Sequence, residues 1–486
     1  MAFTVLSILI LLIFIAVMVI ATSEKMNRAL ISLIGAMLVY FLLTRLRGLH
    51  FEEIIMFIDF DVLIAVIGIS IIVEVNRETG LFHFIAIKAA KISKGESIPL
   101  FLILALTTFI LSAFTASIAT IIIMGTLTIA ISRTLRIDPT PFLLTEAILV
   151  DVGGMIFMFS SLPNLILAEK VGLSPLFFAK YIFPYAIISL LASLFFFHKL
   201  LGPEIGEADI IRKASLIELN EWIFVKDKDI FIRSAIIFLI TIVGFFVFSQ
   251  ELALVALAGG IALLILTGLP IEDTLRRIDW ETIFFFAGLF VIVGALDYEG
   301  FLKELGRLLG LYLGRNPLLA ALLLLWVVGL LSGIIDNIPI TLAFIPVINS
   351  LIKYSGLEAY ASLLWVAIII ATNVGGNLTP YGSPTTVLML GLSKRRGFPV
   401  HSKKFMELGI KWTLLNMGIG SIYIALIIFI EYLVGLLGWL LVAIFIIIFV
   451  IIGIIVIIYL TIGLRRWIEL TKAIIEALKK SLKGLS

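Results

Sequence analysis

The sequence predicts an all-α polytopic membrane protein: an inverted-topology repeat with two re-entrant hairpins and two transmembrane helices unwound near their middles. Three observations carry that expectation. Hydrophobic residues make up 62% of the 486 residues and charged ones 14%, against about half and about a quarter in soluble domains. Apolar stretches of about 20 residues, enough to span a bilayer, recur along the chain. The order of charges, glycines and spans in residues 1–200 returns in residues 230–431. This composition argues against a soluble enzyme, a nucleic-acid binder and a disordered chain. A net charge of +3 is too small to attract a polyanion. The absence of cysteine excludes disulfides, thiolate metal sites and cysteine nucleophiles.

The spans follow in order. Candidates in the first half are 2–22, 28–44, 62–76, 141–168 and 181–200. The second half offers 230–248, 251–268, 281–296, 359–393 and 410–431, and a last span runs 434–463. Met1 to Ile20 has no basic leader and no small-residue cleavage site, so it reads as a retained helix and not a signal peptide. Two apolar stretches, 98–135 and 317–352, are interrupted at Phe114-Thr115-Ala116-Ser117 and Ile335-Asp336-Asn337-Ile338-Pro339. They read as re-entrant hairpins, which membranes tolerate where protein or a wet cavity surrounds the bend. Residues 81–94 and 301–314 are charged and too short to span, and read as interfacial helices. With the N-terminus outside, 28 of the 36 Lys and Arg fall on the inner side, as the positive-inside rule asks. Two crossings per hairpin would leave that parity unchanged, so charge sets sidedness and does not prove re-entrance.

The expected organisation is a first repeat over 1–200, a cytoplasmic linker at 201–229, a second repeat over 230–431, and an extra helix with a tail over 432–486. The tail, 464–486, sets Leu470, Ile474, Leu478 and Leu482 among lysines and reads as a basic amphipathic helix on the inner leaflet. The expected location is the plasma membrane, with a cytoplasmic C-terminus.

The repeat shows in matched residues. Asp59-Phe60-Asp61 matches Asp279-Trp280-Glu281, Gly80 matches Gly300 and Ser112 matches Ser332, each at an offset of 220. Val152-Gly153-Gly154 matches Val374-Gly375-Gly376 at 222. Five crossings separate the starts of the halves, so the halves are oppositely oriented, as in many secondary transporters. In such folds ligands bind near the midplane where helices break. Four breaks occur here as two pairs: the hairpin interruptions, and the segments 151–164 and 373–386. Unwinding frees carbonyls for a cation and exposes helix N-termini that suit an anion.

At these residues the chain resembles the ion transporter superfamily, and most closely its arsenite permeases and sodium/proton antiporters of the D group (citrate-transporter-like). The carriers are Asp336-Asn337-Ile338-Pro339-Ile340-Thr341 and the segment from Asn373 to Pro384, which is similar to that group's N-x-G-G-N-x-T-P-x-G-S-P signature. The resemblance covers residues 1–431 and extends to sodium/dicarboxylate symporters. It implies a scaffold domain and a mobile transport domain working as an elevator, usually as a homodimer. The first half departs from the pattern: many relatives carry Asp-Asn where this chain has Ala116-Ser117, and antiporter-type relatives show Asn and Asp at Asp151 and Ser161. These departures weigh against sodium/proton antiport, which needs acids that exchange protons for sodium.

The expected ligand set is Ser117, Thr120, Asp151, Gly153, Ser160, Ser161, Asn164, Asp336, Asn337, Thr341, Asn373, Gly375, Asn377, Thr379, Gly382, Ser383 and Thr385. Asp336 is an intramembrane acid and hence a functional candidate, with helix capping as its plain alternative. Asp151 reads equally as a proton carrier or a cap. The glycines serve either the site or close helix packing. Glu146, near the start of its span, reads as structural, and so do the acids at span starts, Asp59, Asp61, Asp279 and Glu281. His50, His83, His198 and His401 have no metal-site spacing.

The expected function is transport of a small inorganic ion, with arsenite or antimonite efflux first. The alternatives are sodium/proton antiport, sodium-coupled di- or tricarboxylate or sulfate transport, and a channel subunit of a pump driven by a separate ATPase chain. No P-loop is present and no enzyme is expected. No cofactor is expected beyond coupling protons or a sodium ion near Asp336, Asn337 and Asn377. The partners expected are the lipid bilayer, a second copy of the chain and no nucleic acid.

Overall fold

Nine labelled helices from each half build the fold, and each has its counterpart nine elements later. The first repeat holds α1 (Val5–Thr22), α2 (Arg28–Arg47), α3 (Phe60–Glu78), α4 (Leu81–Ile92), α5 (Ser97–Phe114), α6 (Ser117–Leu135), α7 (Thr140–Gly154), α8 (Leu162–Val171) and α9 (Phe183–Leu201). The second holds α10 (Lys228–Val247), α11 (Leu252–Thr267), α12 (Trp280–Tyr298), α13 (Phe301–Leu313), α14 (Pro317–Ser332), α15 (Asn337–Ser355), α16 (Ala361–Gly375), α17 (Pro384–Arg395) and α18 (Ser402–Val434). This computed structural model describes residues 4–23, 26–434 and 444–455. No strand occurs among them, and ten of their helices are long and apolar enough to cross a membrane. Of the expected last span, 444–455 are described and helical; the expected amphipathic tail lies outside the described residues.

The repeat is visible in local chemistry. Asp59 and Asp279 are the N-caps of α3 and α12, accepting from the N–H groups of Val62 and Thr282, both at 3.1 Å. Acids there satisfy free N–H groups and face the positive end of the helix. Gly80 and Gly300 turn the chain from these spans into α4 and α13 with φ of 85° and 77°, a left-handed backbone that glycine adopts without steric cost. The buried residues of α13, Leu302, Gly306 and Gly310, recur every fourth position and so form one stripe.

The two repeats complete each other's layers. Helix α2 packs on α12, and α3 packs on α11. Beside this layer lie the hairpins α5–α6 and α14–α15 and the broken helices α7–α8 and α16–α17. Each hairpin's first arm lies on the leading half of its own repeat's broken helix, α5 on α7 and α14 on α16. Each second arm crosses over, α6 to α17 and α15 to α8. The first hairpin bends at Thr115 and Ala116 beside Ile69, Ile72 and Val73 in the middle of α3, so its tip ends at mid-depth. The second bends over 333–336.

On one side of the molecule the linker carries a short helix, Ile210–Glu218, that packs on α6. The linker is tied down by Lys91 to Glu221 at 2.7 Å and Lys213 to Glu96 at 3.0 Å. On the opposite side, Arg47 clamps Glu299 with two bonds of 2.7 and 2.6 Å.

Candidate functional site

The four breaks converge. Helix α7 stops at Gly154 and α8 restarts at Leu162; α16 stops at Gly375 and α17 restarts at Pro384. Close backbone contact holds each broken helix to its hairpin. A Cβ on Gly153 would stand 3.0 Å from the Cα of Phe109, and one on Gly375 would stand 2.7 Å from the Cα of Gly329. Phe109 and Gly329 are themselves repeat equivalents. The Ser112 hydroxyl donates to the Val150 carbonyl, and its counterpart Ser332 donates to Thr372 at 3.1 Å. Small residues are thus required for packing and also place the bends at the hairpin tips.

Across the pseudo-two-fold the broken helices meet each other. Asp151, in the last turn of α7, accepts from the Thr385 hydroxyl at 3.2 Å. Asn373, its counterpart in α16, donates to the Asn164 side-chain oxygen at 3.3 Å. Asp151 therefore sits at the negative end of its own helix and at the positive end of α17, a helix of the other repeat. Ser383 and Asn377 also approach its carboxyl, and Ser383 lies 2.7 Å from Thr385. All six of these side chains are buried. Asp151 Oδ2 and Asn377 Oδ1 are buried without a hydrogen-bond partner. Unpaired buried acceptors are costly, so this cluster is chemically prepared for a proton, a cation or a ligand hydroxyl.

The other expected residues surround this centre. Asn164 also donates its amide to the carbonyls of Met155 at 2.9 Å and Phe157 at 3.0 Å, and Ser160 donates to Gly154 at 2.7 Å. These bonds occupy carbonyls that unwinding had freed. Ser161 caps α8. Ser117, at the first hairpin tip, lies 3.4 Å from Ser112, and Thr120 bonds Thr115. Thr379 donates to Gly333 at 2.6 Å, and Gly382 packs against Ser332 and Gly376, locking the second hairpin to its broken helix. Asn337 opens α15 and accepts from Thr341 through its carbonyl at 2.7 Å.

Asp336 stands at the edge. One oxygen accepts the Ile338 N–H at 3.1 Å as the N-cap of α15, and the other lies 3.5 Å from the Arg28 guanidinium. Both oxygens are thus engaged, one by the α15 N-terminus and one by Arg28. Among the described residues no group of three His, Cys, Asp or Glu side chains could hold a metal ion.

Sequence reasoning missed two residues. Arg28 opens the span 28–44 in the sequence, and only the tertiary fold brings it to the second hairpin. Glu146, near the start of its span and structural on the sequence alone, is 1% exposed because α5, α6 and α9 all cover α7. Its signal was present in the sequence, an acid inside an apolar span.

On the side away from the linker a cavity of about 480 Å³ opens beside α15, lined by Phe57, Lys170, Phe290, Asp297, Lys303 and Lys353 among others. Lys170 pairs with Asp59 at 2.8 Å and Lys303 with Asp297 at 3.4 Å.

An inverted repeat with two hairpins, two broken helices and a buried polar cluster between them defines a secondary transporter, not an enzyme. The comparisons make this particular. Residues 9–370 match the family model described as citrate transporter, and the chain belongs to that family, within the ion transporter superfamily. An uncharacterised transporter of Mycobacterium tuberculosis is 31% identical over 415 residues, covering 85% of this chain and 96% of that one. The P protein of Mus musculus is 27% identical, covering 82% of this chain and 58% of that protein. The structure of the Alcanivorax borkumensis YdaH transporter, described as having an unusual topology, matches with a TM-score of 0.50 and 14% identity over 76% of this chain and 84% of that one. That likeness speaks to the fold alone.

Proposed function

We propose that the chain is a proton-coupled secondary transporter in the plasma membrane that exports a small oxyacid of the arsenous or antimonous type. The carrying observation is the pair of buried, unpartnered acceptors, Asp151 Oδ2 and Asn377 Oδ1, beside the hydroxyls of Ser383 and Thr385. A neutral acid bearing several hydroxyls donates to such acceptors and accepts from such hydroxyls. None of the six clustered side chains is Lys or Arg, so a multiply charged anion has no counter-charge at the centre. Asp151 takes the coupling proton. Sodium bound near Asp336, Asn337 and Asn377 is the alternative coupling arrangement. The hairpins and broken helices travel together as the mobile domain of an elevator against α1–α3 and α10–α12, in a homodimer, with the linker and C-terminus cytoplasmic.

A carboxylate is the second reading. It is supported by the family's description and by the cavity bearing Lys170, Lys303 and Lys353, which would draw anions toward the site.

Counterflow into proteoliposomes containing the purified chain separates these. Saturable exchange of arsenite or antimonite, with proton movement, upholds the first reading. Exchange of citrate with no effect of arsenite replaces it with the second. A pH gradient that sodium dissipates, indifferent to both, points to sodium/proton antiport.

A further inference from the structure

Glu146 and Asp151 share one arrangement on α7. In each carboxyl one oxygen accepts from a threonine hydroxyl of a neighbouring helix: Thr128 of α6 at 2.5 Å for Glu146, and Thr385 of α17 at 3.2 Å for Asp151. In each the second oxygen is buried without a partner. The residue equivalent to Glu146 in the second repeat, at the offset of 222, is Ile368, so the first repeat alone carries this acid. A carboxyl held inside a membrane helix at 1% exposure with one oxygen unsatisfied sets a single hydrogen bond, from Thr128, against a large cost of burial.

Five residues of helix place Glu146 about 7.5 Å along the axis from Asp151 and about 140° around it, so the two carboxyls face different neighbours, α6 and α17, which themselves pack together. Glu146 lies on the linker side, because α7 begins at Thr140 near the linker-covered end of α6. One turn beyond Thr128 on α6, toward that same side, the Ser132 hydroxyl is buried and unpartnered; so is Thr386, next to the Thr385 that bonds Asp151. Unsatisfied hydroxyls therefore lie on α6 one turn from Thr128 and on α17 one residue from Thr385. Nothing charged neutralises Glu146. On the helices packed against α7, the titratable or cationic groups are Arg133 of α6, Tyr185, His198 and Lys199 of α9, and Lys394 and Arg395 of α17. The helices α5 and α16 carry none. Among the described residues the polar partner of Glu146 is Thr128.

We propose that Glu146 is a second proton-carrying carboxyl, which passes protons between the linker side of the membrane and Asp151. The transfer is balanced. A proton taken from water protonates the Glu146 carboxylate. Its O–H bond then breaks as one forms at Asp151, the proton passing over several waters and hydroxyls along the α6–α17 contact, leaving Glu146 ionised and Asp151 neutral. Asp151 returns to the carboxylate by giving its proton to water on the other side of the membrane, which resets the pair. This assignment rests on the proton coupling proposed above, and its test is built to separate the two.

The full chain is compared with Glu146→Gln, which retains an acceptor for Thr128, and with Glu146→Asp, which retains the acid. Infrared difference spectra between acidic and alkaline buffer follow carboxyl protonation without any substrate. Arsenite uptake driven by a pH gradient, against arsenite counterflow without one, follows coupling. The expected result is loss of one titrating carboxyl band in Glu146→Gln, with gradient-driven uptake down about 100-fold and counterflow retained. Glu146→Asp restores the band and part of the uptake. A titrating carboxyl band set in Glu146→Gln identical to that of the unmodified chain overturns the proposal. If the band is lost while sodium and not protons drives uptake, Glu146 stands as a proton site and the coupling reading fails.

Discussion

Alanine at Gly375 tests whether each hairpin and its broken helix form one rigid unit. The added Cβ would stand 2.7 Å from both the carbonyl carbon and the Cα of Gly329, and closer still to its carbonyl oxygen. Real Cβ contacts essentially never fall below 3.0 Å. The obstructing atoms are backbone of α14, not the far end of a flexible side chain, so relief requires α14 and α16 to separate. Overpacking of this kind costs about 1–3 kcal/mol, and a backbone obstacle places Gly375→Ala toward the upper end. The counterpart Gly153→Ala meets the backbone of Phe109, with its carbonyl carbon at 2.9 Å, and should cost a similar amount. Gly418 in α18 has nothing within 4 Å of the same position; Gly418→Ala should gain about 0.5–1 kcal/mol from helix propensity. Unfolding of the three variants in one detergent, by denaturant and by heat, gives the ranking. A Gly375→Ala variant as stable as the unmodified chain would refute the close-packed unit.

Three further outcomes follow from the same geometry. Asp151→Asn keeps a partner for Thr385 and should fold normally, yet lose pH-gradient-driven transport by about 100-fold; uptake at the normal rate would remove Asp151 from the coupling. Asp336→Asn retains the cap on α15, whereas Asp336→Ala loses it, so alanine should be less stable than asparagine by about 1 kcal/mol. Equal melting of the two would show that the cap contributes nothing. The Arg47 guanidinium, bonded to Glu299, holds that carboxyl below the usual carboxylate range. The pair therefore adds stability above about pH 4.3, the ordinary glutamate value, and that stability disappears as pH falls through the depressed folded value. Glu299→Gln should lose this acid sensitivity, and an unchanged stability–pH profile would contradict it.

The breaks that frame the candidate site could be read in the chain because breakers are conspicuous in lipid. Gly153, Gly375, Asn377 and Pro384 interrupt apolar helices, and the bilayer permits such interruptions only where they are covered. The matched offsets then located the four breaks in pairs, and the helices stop and restart at those places. The partnering was not legible. No periodicity states that Asp151 meets Thr385 or that Asn164 meets Asn373, because these contacts join opposite repeats across the pseudo-two-fold.

The sequence by itself determined the solvent, the repeat and the positions of the breaks. All three follow from hydropathy, chain parity and residues whose backbone or polar groups cannot sit in a continuous membrane helix. The tertiary structure alone decided which polar atoms are satisfied. It placed Arg28 on Asp336, used Asn164 to close carbonyls that unwinding had freed, and buried Glu146 against Thr128. Satisfaction of a polar group depends on atoms a few ångströms away in space and often far away in sequence, and only the folded chain brings them together.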